Sequence, residues 1–309
     1  MLIHYLPPGL GTPSKAQRPI LGLLPFTLLL VFILSLTGCC PRVSMVDVGP
    51  LDREPQIKSV IVAHRGSLHA KSDIDNSLYS VNRAIINGVN NLEVDVRIAK
   101  DGELFLFHDG SLTRSNSYAV SKLRGVAISE IKSAERLKVP LDNKKQITIP
   151  NLSEALALIE KHKGATLQLD LKGESDNLAL SVFDIVNSHR LMNQVLVQLR
   201  SVDRAKLILS RHPKARILIR CKNFTELTRA LELPIEAVEL ERWISSEAIR
   251  IAHSKNVLVA LNLATSRLDN IDTWQYLASR GVDMMMTDRA AELTRIFHPK
   301  HGDCLASTH

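Results

Sequence analysis

Short runs of apolar and β-branched residues alternate with helical patterns along the chain from residue 57 onward. Several runs are apolar at consecutive positions, such as SVIVA at residues 59–63 and VLVAL at residues 257–261. This pattern is typical of parallel strands whose two faces are both buried. It predicts eight strands, at Lys58–Ala63, Asn91–Arg97, Thr166–Leu171, Gln194–Leu199, Ala215–Arg220, Ala237–Leu240, Asn256–Leu261 and Val282–Thr287.

Helical patterns lie between these strands, and either Asn151 or Ser153 is a candidate cap for the second helix. Regular alternation of strands and helices implies βαβ units and a parallel sheet. Eight repeats favour closure into an α/β fold of the (β/α)8 TIM barrel type, whereas an open doubly wound sheet is the alternative. The predicted helices are Leu78–Asn87, Ser153–Lys161, Leu178–His189, Asp203–His212, Phe224–Leu231, Ser246–Ser254 and Ile271–Arg280.

One interval interrupts this rhythm after the second strand. A further short strand is predicted at Glu103–Phe107, and the mostly polar segment 109–149 follows it. We interpret segment 109–149 as an insertion on the face of the barrel where the strands end, the face on which barrel active sites are built.

The N-terminal region has the layout of a signal peptide, with Lys15 and Arg18 before an almost wholly apolar run, Ile20–Leu36. The run ends in Leu36-Thr37-Gly38-Cys39, which resembles a bacterial lipobox in which Cys39 is lipidated and becomes the first mature residue. A transmembrane anchor is the alternative, but the run is at the short limit for a span and Pro25 interrupts it.

The sequence therefore predicts a signal peptide at residues 1–38, a tether at 39–56, a barrel domain at 57–298 that contains the insertion, and a tail at 299–309. Lipidation of Cys39 would attach the protein to a membrane surface of the bacterial cell envelope, at the outer membrane or the periplasmic face rather than in the cytoplasm. Cys40 follows Cys39 where Asp would signal inner-membrane retention, and this favours the outer membrane.

Charge and cysteine content narrow the class of partner. The formal net charge of +7 favours anionic partners such as phosphate esters, and the lack of a dense Lys/Arg run argues against nucleic acid. The four cysteines form no CxxC pair or His/Cys cluster, which argues against a zinc ribbon or finger. Cys221 ends an apolar strand and is expected to be a small buried residue.

Polar residues cluster where the early strands end. His64 follows the first strand, and Glu93 and Asp95 share one face of the second strand because alternate strand residues point the same way. Two acids inside an apolar barrel need a cationic partner. Arg97, on the same face, could be that partner, or a divalent cation could be. Oxygen ligands alone favour Mg²⁺ or Ca²⁺ over Zn²⁺.

A second group of polar residues extends this cluster. His108 ends the short additional strand, and Asp109 could orient it or cap the following turn. Asp170 and Lys172 share a face of the third strand, as a buried ion pair or as a third metal ligand beside a cation for a phosphate oxygen. Phosphodiester cleavage needs this combination of a base, an acid and cations that neutralise the phosphoryl oxygens.

In order and spacing, these motifs resemble the glycerophosphodiester phosphodiesterase family. The resemblance spans about residues 57–297 and is most specific in its first half. It is carried by His64-Arg65-Gly66, Asp75-Asn76-Ser77, Leu92-Glu93-Val94-Asp95-Val96, Lys100-Asp101-Gly102, His108-Asp109, Leu112-Thr113-Arg114, Ile149-Pro150-Asn151-Leu152, Leu169-Asp170-Leu171-Lys172, Gly281-Val282-Asp283 and Thr287-Asp288.

The resemblance implies a (β/α)8 barrel that hydrolyses glycerophosphodiesters to glycerol 3-phosphate and an alcohol. It implies that His64 and His108 are the acid/base pair, Arg65 and Lys172 contact the phosphate, and Glu93, Asp95 and Asp170 bind the Mg²⁺ or Ca²⁺ ion. The chain departs from the family in having Asp170 where glutamate is usual and Arg200-Ser201 where the fourth strand usually ends in Ser-Phe. These departures bear on metal affinity and on the shape of the alcohol pocket.

Two rival functions fit the same motifs. One is a lysophospholipase D or sphingomyelinase-like phosphodiesterase of the same superfamily, which a lipid anchor near membrane substrate would suit. The other is a catalytically weak barrel that binds phospholipid at the cell surface. The pair of strand-end histidines argues against the second rival, because a pure binding protein has no need of two titratable imidazoles there.

The lipobox makes a direct prediction about Cys39. In a bacterial host, the protein should be labelled by palmitate and should partition into membranes, and Cys39→Ala should block both because the thiol carries the lipid. Unchanged labelling and processing of the Cys39→Ala variant would contradict the lipobox interpretation.

Overall fold

Eight parallel strands close into a barrel with helices packed outside it. The structure is a computed structural model, and it describes residues 44–45, 59–69, 73–110, 138–140, 146–173, 175–241 and 243–297. The strands are β1 (Ser44–Met45), β2 (Val60–Ala63), β3 (Asn91–Ile98), β4 (Leu104–Leu106), β5 (Lys138–Pro140), β6 (Gln146–Thr148), β7 (Thr166–Leu171), β8 (Val195–Leu199), β9 (Arg216–Cys221), β10 (Ala237–Leu240), β11 (Trp243–Ile244), β12 (Leu258–Asn262) and β13 (Met284–Thr287).

Eight of these strands form the barrel, in the order β2, β3, β7, β8, β9, β10, β12 and β13. Each pairs in parallel with its neighbours, and β13 returns to β2 to close the ring. β4 is added to the edge of β3 in the antiparallel direction. The closed (β/α)8 barrel predicted from the sequence is confirmed, and the alternative of an open sheet is wrong.

The helices follow the strands as the sequence pattern predicts. They are α1 (Leu78–Ile86), α2 (Leu152–Glu160), α3 (Asp176–Ser188), α4 (Val202–Arg211), α5 (Phe224–Ala230), α6 (Ser246–Ser254), α7 (Ile271–Ser279) and α8 (Ala290–Phe297). α8 was not predicted. Asn151 rather than Ser153 caps α2, because its side chain accepts from Glu154 N while the Glu154 carboxylate accepts from Asn151 N.

The two faces of the barrel strands bury different kinds of residue. The outward face of β3 carries Leu92, Val94 and Val96, which are fully buried in the core between the strands and the helices. The inward face of β3 carries Glu93 and Asp95. A smaller apolar cluster fills the barrel interior beside these acids, formed by Val62, Leu196, Leu218, Ala237, Ala260, Ala264, Met284 and Met286.

The two ends of the inserted segment are held together where it joins the barrel. Leu106 N donates a hydrogen bond to Pro150 O at 2.9 Å, and Phe105 forms a β-bridge with Asn151. The two ends of the insertion therefore meet beside β3. Within the segment, β5 and β6 form an antiparallel pair, and the rest of residues 111–145 lies outside the described part of the chain.

The predicted signal peptide, with Cys39, and the predicted tail lie outside the described residues. β1, inside the predicted tether, pairs in parallel with β11. Among the described residues, no helix is both long enough and apolar enough to cross a membrane.

Candidate active site

A polar cleft of about 200 Å³ opens where the barrel strands end. All seven residues predicted for the site from the sequence line it, so the structure brings them together from β2, β3, β4 and β7. The lining residues are His64, Arg65, Glu93, Asp95, His108, Asp170, Lys172, Gln198, Arg220, Asn262, Ala264, Thr265 and Met286.

Three carboxylates form the floor of the cleft. Asp95 on β3 and Asp170 on β7 are paired in register, and Glu93 lies two residues before Asp95 on the same face. One oxygen from each carboxylate can be chosen so that all three lie within 4.8 Å of one another, and the residues are only 1%, 1% and 6% exposed (Glu93, Asp95, Asp170). Burial, followed by the charges of Asp95 and Asp170, raises the pKa of Glu93 well above its ordinary value.

Lys172 bridges two of these acids. Its Nζ lies 2.8 Å from Asp95 Oδ1 and 2.5 Å from Asp170 Oδ2. Burial alone would raise the pKa of Asp95, but the ammonium of Lys172 and the hydrogen bond from Asn76 lower it. Burial would lower the pKa of Lys172, but the charges of Asp95 and Asp170 raise it. Lys172 is therefore held as a cation at the centre of the cleft.

Arg65 sits in a turn that its neighbour glycine makes possible. Arg65 itself has φ of 54° and Gly66 has φ of 71°, and a Cβ on Gly66 would come within 2.5 Å of Val81 Cγ2. This left-handed turn aims Arg65 N at Glu93 Oε2, 2.9 Å away. The guanidinium pairs with Asp75 at 2.8 Å and lies 3.5 Å from Asp95.

Arg97 forms no ion pair with Glu93 or Asp95 among the described residues, so the interpretation of Arg97 as their direct partner is wrong. Its guanidinium donates to the carbonyl oxygens of His108, at 2.6 and 3.0 Å, and of Lys172, at 3.1 Å. The nearby cations are instead Lys172, Arg65 and Arg200. Arg97 fastens the segment that carries His108 to the end of β7.

Each histidine of the cleft is oriented by an acid. His64 Nδ1 lies 2.7 Å from Asp288 Oδ1, and His108 Nδ1 lies 2.7 Å from Asp109 Oδ1. A carboxylate can only accept, so each Nδ1 donates its proton, and Nε2 takes no part in this contact. Of the two roles that the sequence allowed for Asp109, the contact supports orientation of His108.

The family comparison agrees with this geometry. Residues 64–292 match the model of the glycerophosphoryl diester phosphodiesterase family, which is more than half of the chain. The chain belongs to this family. The matched range begins at His64 and includes every residue that lines the cleft.

Individual relatives are more distant. A glycerophosphodiester phosphodiesterase from Bacillus altitudinis is 27% identical over 112 residues, which cover 36% of this chain and 44% of that relative, so the aligned part is less than half of its length. A phosphodiesterase from Oleispira antarctica, solved with its product sn-glycerol-3-phosphate, has a TM-score of 0.62 at 17% identity and covers 76% of this chain and 94% of its own. A glycerophosphodiester phosphodiesterase from Parabacteroides distasonis has a TM-score of 0.61 at 19% identity, with 78% and 97% covered. At such identities, the two structures support the fold.

Several residues of this family member's site were not predicted as site residues. Asn76 donates to Asp95 Oδ2 and accepts from Asp95 N, both at 2.8 Å. Arg200 donates to both oxygens of Asp170, at 2.7 and 3.0 Å, and Asp288 orients His64. Asn76 and Asp288 lie in motifs that carry the family resemblance, which was the available signal. The Arg200 contact had no signal beyond its place at a strand end.

The Asp288–His64 pair predicts how stability depends on pH. Burial would raise the pKa of Asp288, but the hydrogen bond from His64 and the backbone donor of Thr265 lower it. A carboxyl with a lowered folded-state pKa stabilises the fold above its unfolded pKa of about 3.9, and that stabilisation is lost as pH falls through the folded value. Asp288→Asn should therefore lower the free energy of unfolding at pH 7 by roughly 1.5–3 kcal/mol, and by less as pH falls below about 4.

Chemical denaturation of both proteins at several pH values would measure this difference. Asp203→Asn is the matched control, because Asp203 is 75% exposed and pairs only at the surface with Arg229. A deficit in Asp288→Asn that stayed constant from pH 7 to pH 3.5 would contradict the assigned role of the carboxylate.

Proposed function

We propose that this protein hydrolyses glycerophosphodiesters to glycerol 3-phosphate and an alcohol, with the help of a divalent cation and of His64 and His108 as the acid/base pair. The observation that carries the proposal is the pair of imidazoles, each oriented through Nδ1 by a carboxylate, at the rim of a cleft floored by three acids. The family match supports the same chemistry. The Oleispira antarctica relative, which holds glycerol 3-phosphate, supports the assignment of the product.

The three carboxylates fit a divalent cation. Glu93, Asp95 and Asp170 offer only oxygen ligands, which suit Mg²⁺ or Ca²⁺, and their mutual repulsion at full burial would become attraction to the ion. When bound, the cation would neutralise charge on the phosphoryl oxygens. Lys172, which already touches Asp95 and Asp170, is placed to hold another phosphoryl oxygen.

The two histidines divide the proton transfers. One imidazole Nε2 accepts a proton from the attacking hydroxyl, which is that of water or of the substrate's glycerol. Attack by the glycerol hydroxyl would give a cyclic phosphate, which water would then open to glycerol 3-phosphate. The other Nε2 donates a proton to the leaving alkoxide, so one ring starts neutral and the other protonated. The Arg65 guanidinium contacts the phosphate; burial would lower its pKa, but its hydrogen bond to Asp75 and the charges of Asp95 and Glu93 raise it.

The location proposed for this activity is the bacterial cell envelope, with lipidated Cys39 attaching the barrel to a membrane surface. The lipobox-like sequence supports this location. Such an anchor would bring the cleft close to lipid-derived diesters. Because lysophospholipids are also found at membranes, lysophospholipase D activity is the rival function that a product assay must distinguish.

Substitution of either histidine should reduce turnover of glycerophosphocholine by roughly 10²–10⁴-fold, the usual worth of a positioned proton-transfer group. A nitrophenyl diester, whose leaving group needs little protonation, should restore turnover in the variant that lacks the acid and not in the variant that lacks the base. Turnover of both substrates by His64→Ala and His108→Ala is the measurement.

The matched control is His253→Ala. His253 also pairs with an aspartate, Asp283, at 2.8 Å, but Asp283 lies just before β13, at the opposite end of the barrel. This variant should keep wild-type turnover. Near wild-type rates in folded His64→Ala and His108→Ala would refute the acid/base assignment, and release of lysophosphatidic acid from lysophosphatidylcholine with no activity on glycerophosphocholine would favour the rival function.

Metal binding should be visible without an activity assay. At a free Mg²⁺ or Ca²⁺ concentration of about 100 times its Kd, the folded state gains about 2.7 kcal/mol, so the melting temperature should rise relative to protein in EDTA. Asp170→Asn should lose most of this rise because one of three charged ligands is gone. Asp176→Asn, an exposed acid paired with Arg204, should retain it.

Absence of any metal-dependent rise in the wild-type melting temperature, together with full turnover in EDTA, would exclude the proposed cation. An equal rise in wild type and Asp170→Asn would show instead that the ion binds elsewhere.

A further inference from the structure

The loop between β12 and α7 contains a buried carboxylate that the proposed chemistry does not use. Asp269 is 9% exposed, and its side chain accepts three hydrogen bonds. Oδ1 accepts from Trp274 Nε1 at 3.0 Å and from Thr287 Oγ1 at 2.7 Å, and Oδ2 accepts from the backbone N–H of Asp288 at 2.9 Å. Asp269 therefore ties the end of β13 to α7.

A second contact from the same loop reaches the side chain of Asp288. Thr265 N donates to Asp288 Oδ2 at 2.9 Å, while Asp288 Oδ1 faces His64 Nδ1 at 2.7 Å. Thr265 has φ of 62°, in the left-handed region that a β-branched residue rarely occupies. Such strain persists only where the surrounding structure holds it, and it tends to occur at functional sites.

We propose that Asp269 is a positioning residue for His64, acting through Asp288, and that the strained Thr265 also holds Asp288 in place. Asp269 fixes the backbone of Asp288 and Thr265 fixes one of its carboxylate oxygens. The other oxygen then has a single direction in which to face, toward His64 Nδ1. Because Asp269 contacts neither imidazole, it acts on the ring only by orienting the ring's partner.

The neighbouring contacts explain why the backbone around Asp288 is held rigidly. Thr287 Oγ1 donates to Asp269 and accepts from Arg289 N at 2.9 Å, and Arg289 Nη1 donates back to the carbonyl oxygen of Asp269 at 3.1 Å. The segment from Thr287 to Arg289 is thus held at three successive residues. A rotation of the Asp288 peptide would break contacts on both sides of it.

Asp269→Asn tests the proposal selectively. The asparagine Oδ1 can still accept from Trp274 and Thr287, but its Nδ2 would place a donor against the N–H of Asp288. Turnover of glycerophosphocholine should fall roughly 10- to 100-fold, as for other residues that orient a ligand or catalytic group, with little change in KM. The His64 Nδ1 proton resonance of the metal-loaded protein, labelled with ¹⁵N-histidine, should broaden or disappear.

Two further variants separate positioning from structural support. Trp274→Phe removes a different donor from the same carboxylate and opens a void, so it should lower the melting temperature but keep the His64 signal and kcat. Thr265→Gly removes the strain but frees the backbone that aims the N–H at Asp288, so the His64 signal and kcat should fall, by less than in Asp269→Asn, without a lower melting temperature.

The inference rests on the proposed function only in its turnover measurements. If the wild-type protein does not hydrolyse glycerophosphocholine, the proposed function fails while the His64 resonance still tests the positioning. An Asp269→Asn variant with an intact His64 Nδ1 signal and wild-type kcat would overturn the proposal. Equal loss of the signal in Trp274→Phe and Asp269→Asn would also overturn it, because the effect would then be general loosening.

Discussion

Glu93, Asp95 and Asp170 bring three carboxyl groups close together in a buried position, and the cationic groups of the cleft offset the charge that they carry there. Lys172 lies between two of the acids, Arg200 clasps one, and the backbone of Arg65 donates to another. The left-handed turn at Arg65 and Gly66 directs the Arg65 N–H toward the Glu93 carboxylate. These contacts partly offset the repulsion among three buried carboxyl groups.

In the walls of the cleft, each histidine ring likewise has a carboxylate partner. Asp288 and Asp109 set the direction of the two imidazoles, and both acids stand outside the carboxylate floor. The acids that orient the two imidazoles are thus separate from the acids of the floor. Beside the floor, the barrel interior also holds an apolar cluster, whose residues come mainly from β2, β8, β9, β10, β12 and β13.

The eight strands could be predicted because each is a run of buried residues, and the shared face of Glu93 and Asp95 followed from the alternation of side chains along a strand. Their cationic partners could not. Arg97 was the nearest cation in sequence, but its guanidinium donates instead to the backbone carbonyls of two other residues, His108 and Lys172. Asp288 lies 224 residues from His64 along the chain, and only closure of the ring between β13 and β2 brings them together.

The contacts that hold the two ends of the insertion together have an evolutionary consequence. Leu106 and Pro150 are joined before and after the segment, and His108 is held by Arg97 on the barrel side of it. Changes of length or sequence between Leu106 and Pro150 that spare His108 would leave these contacts in place. The segment could therefore diverge in evolution without loss of the contacts that join it to the barrel.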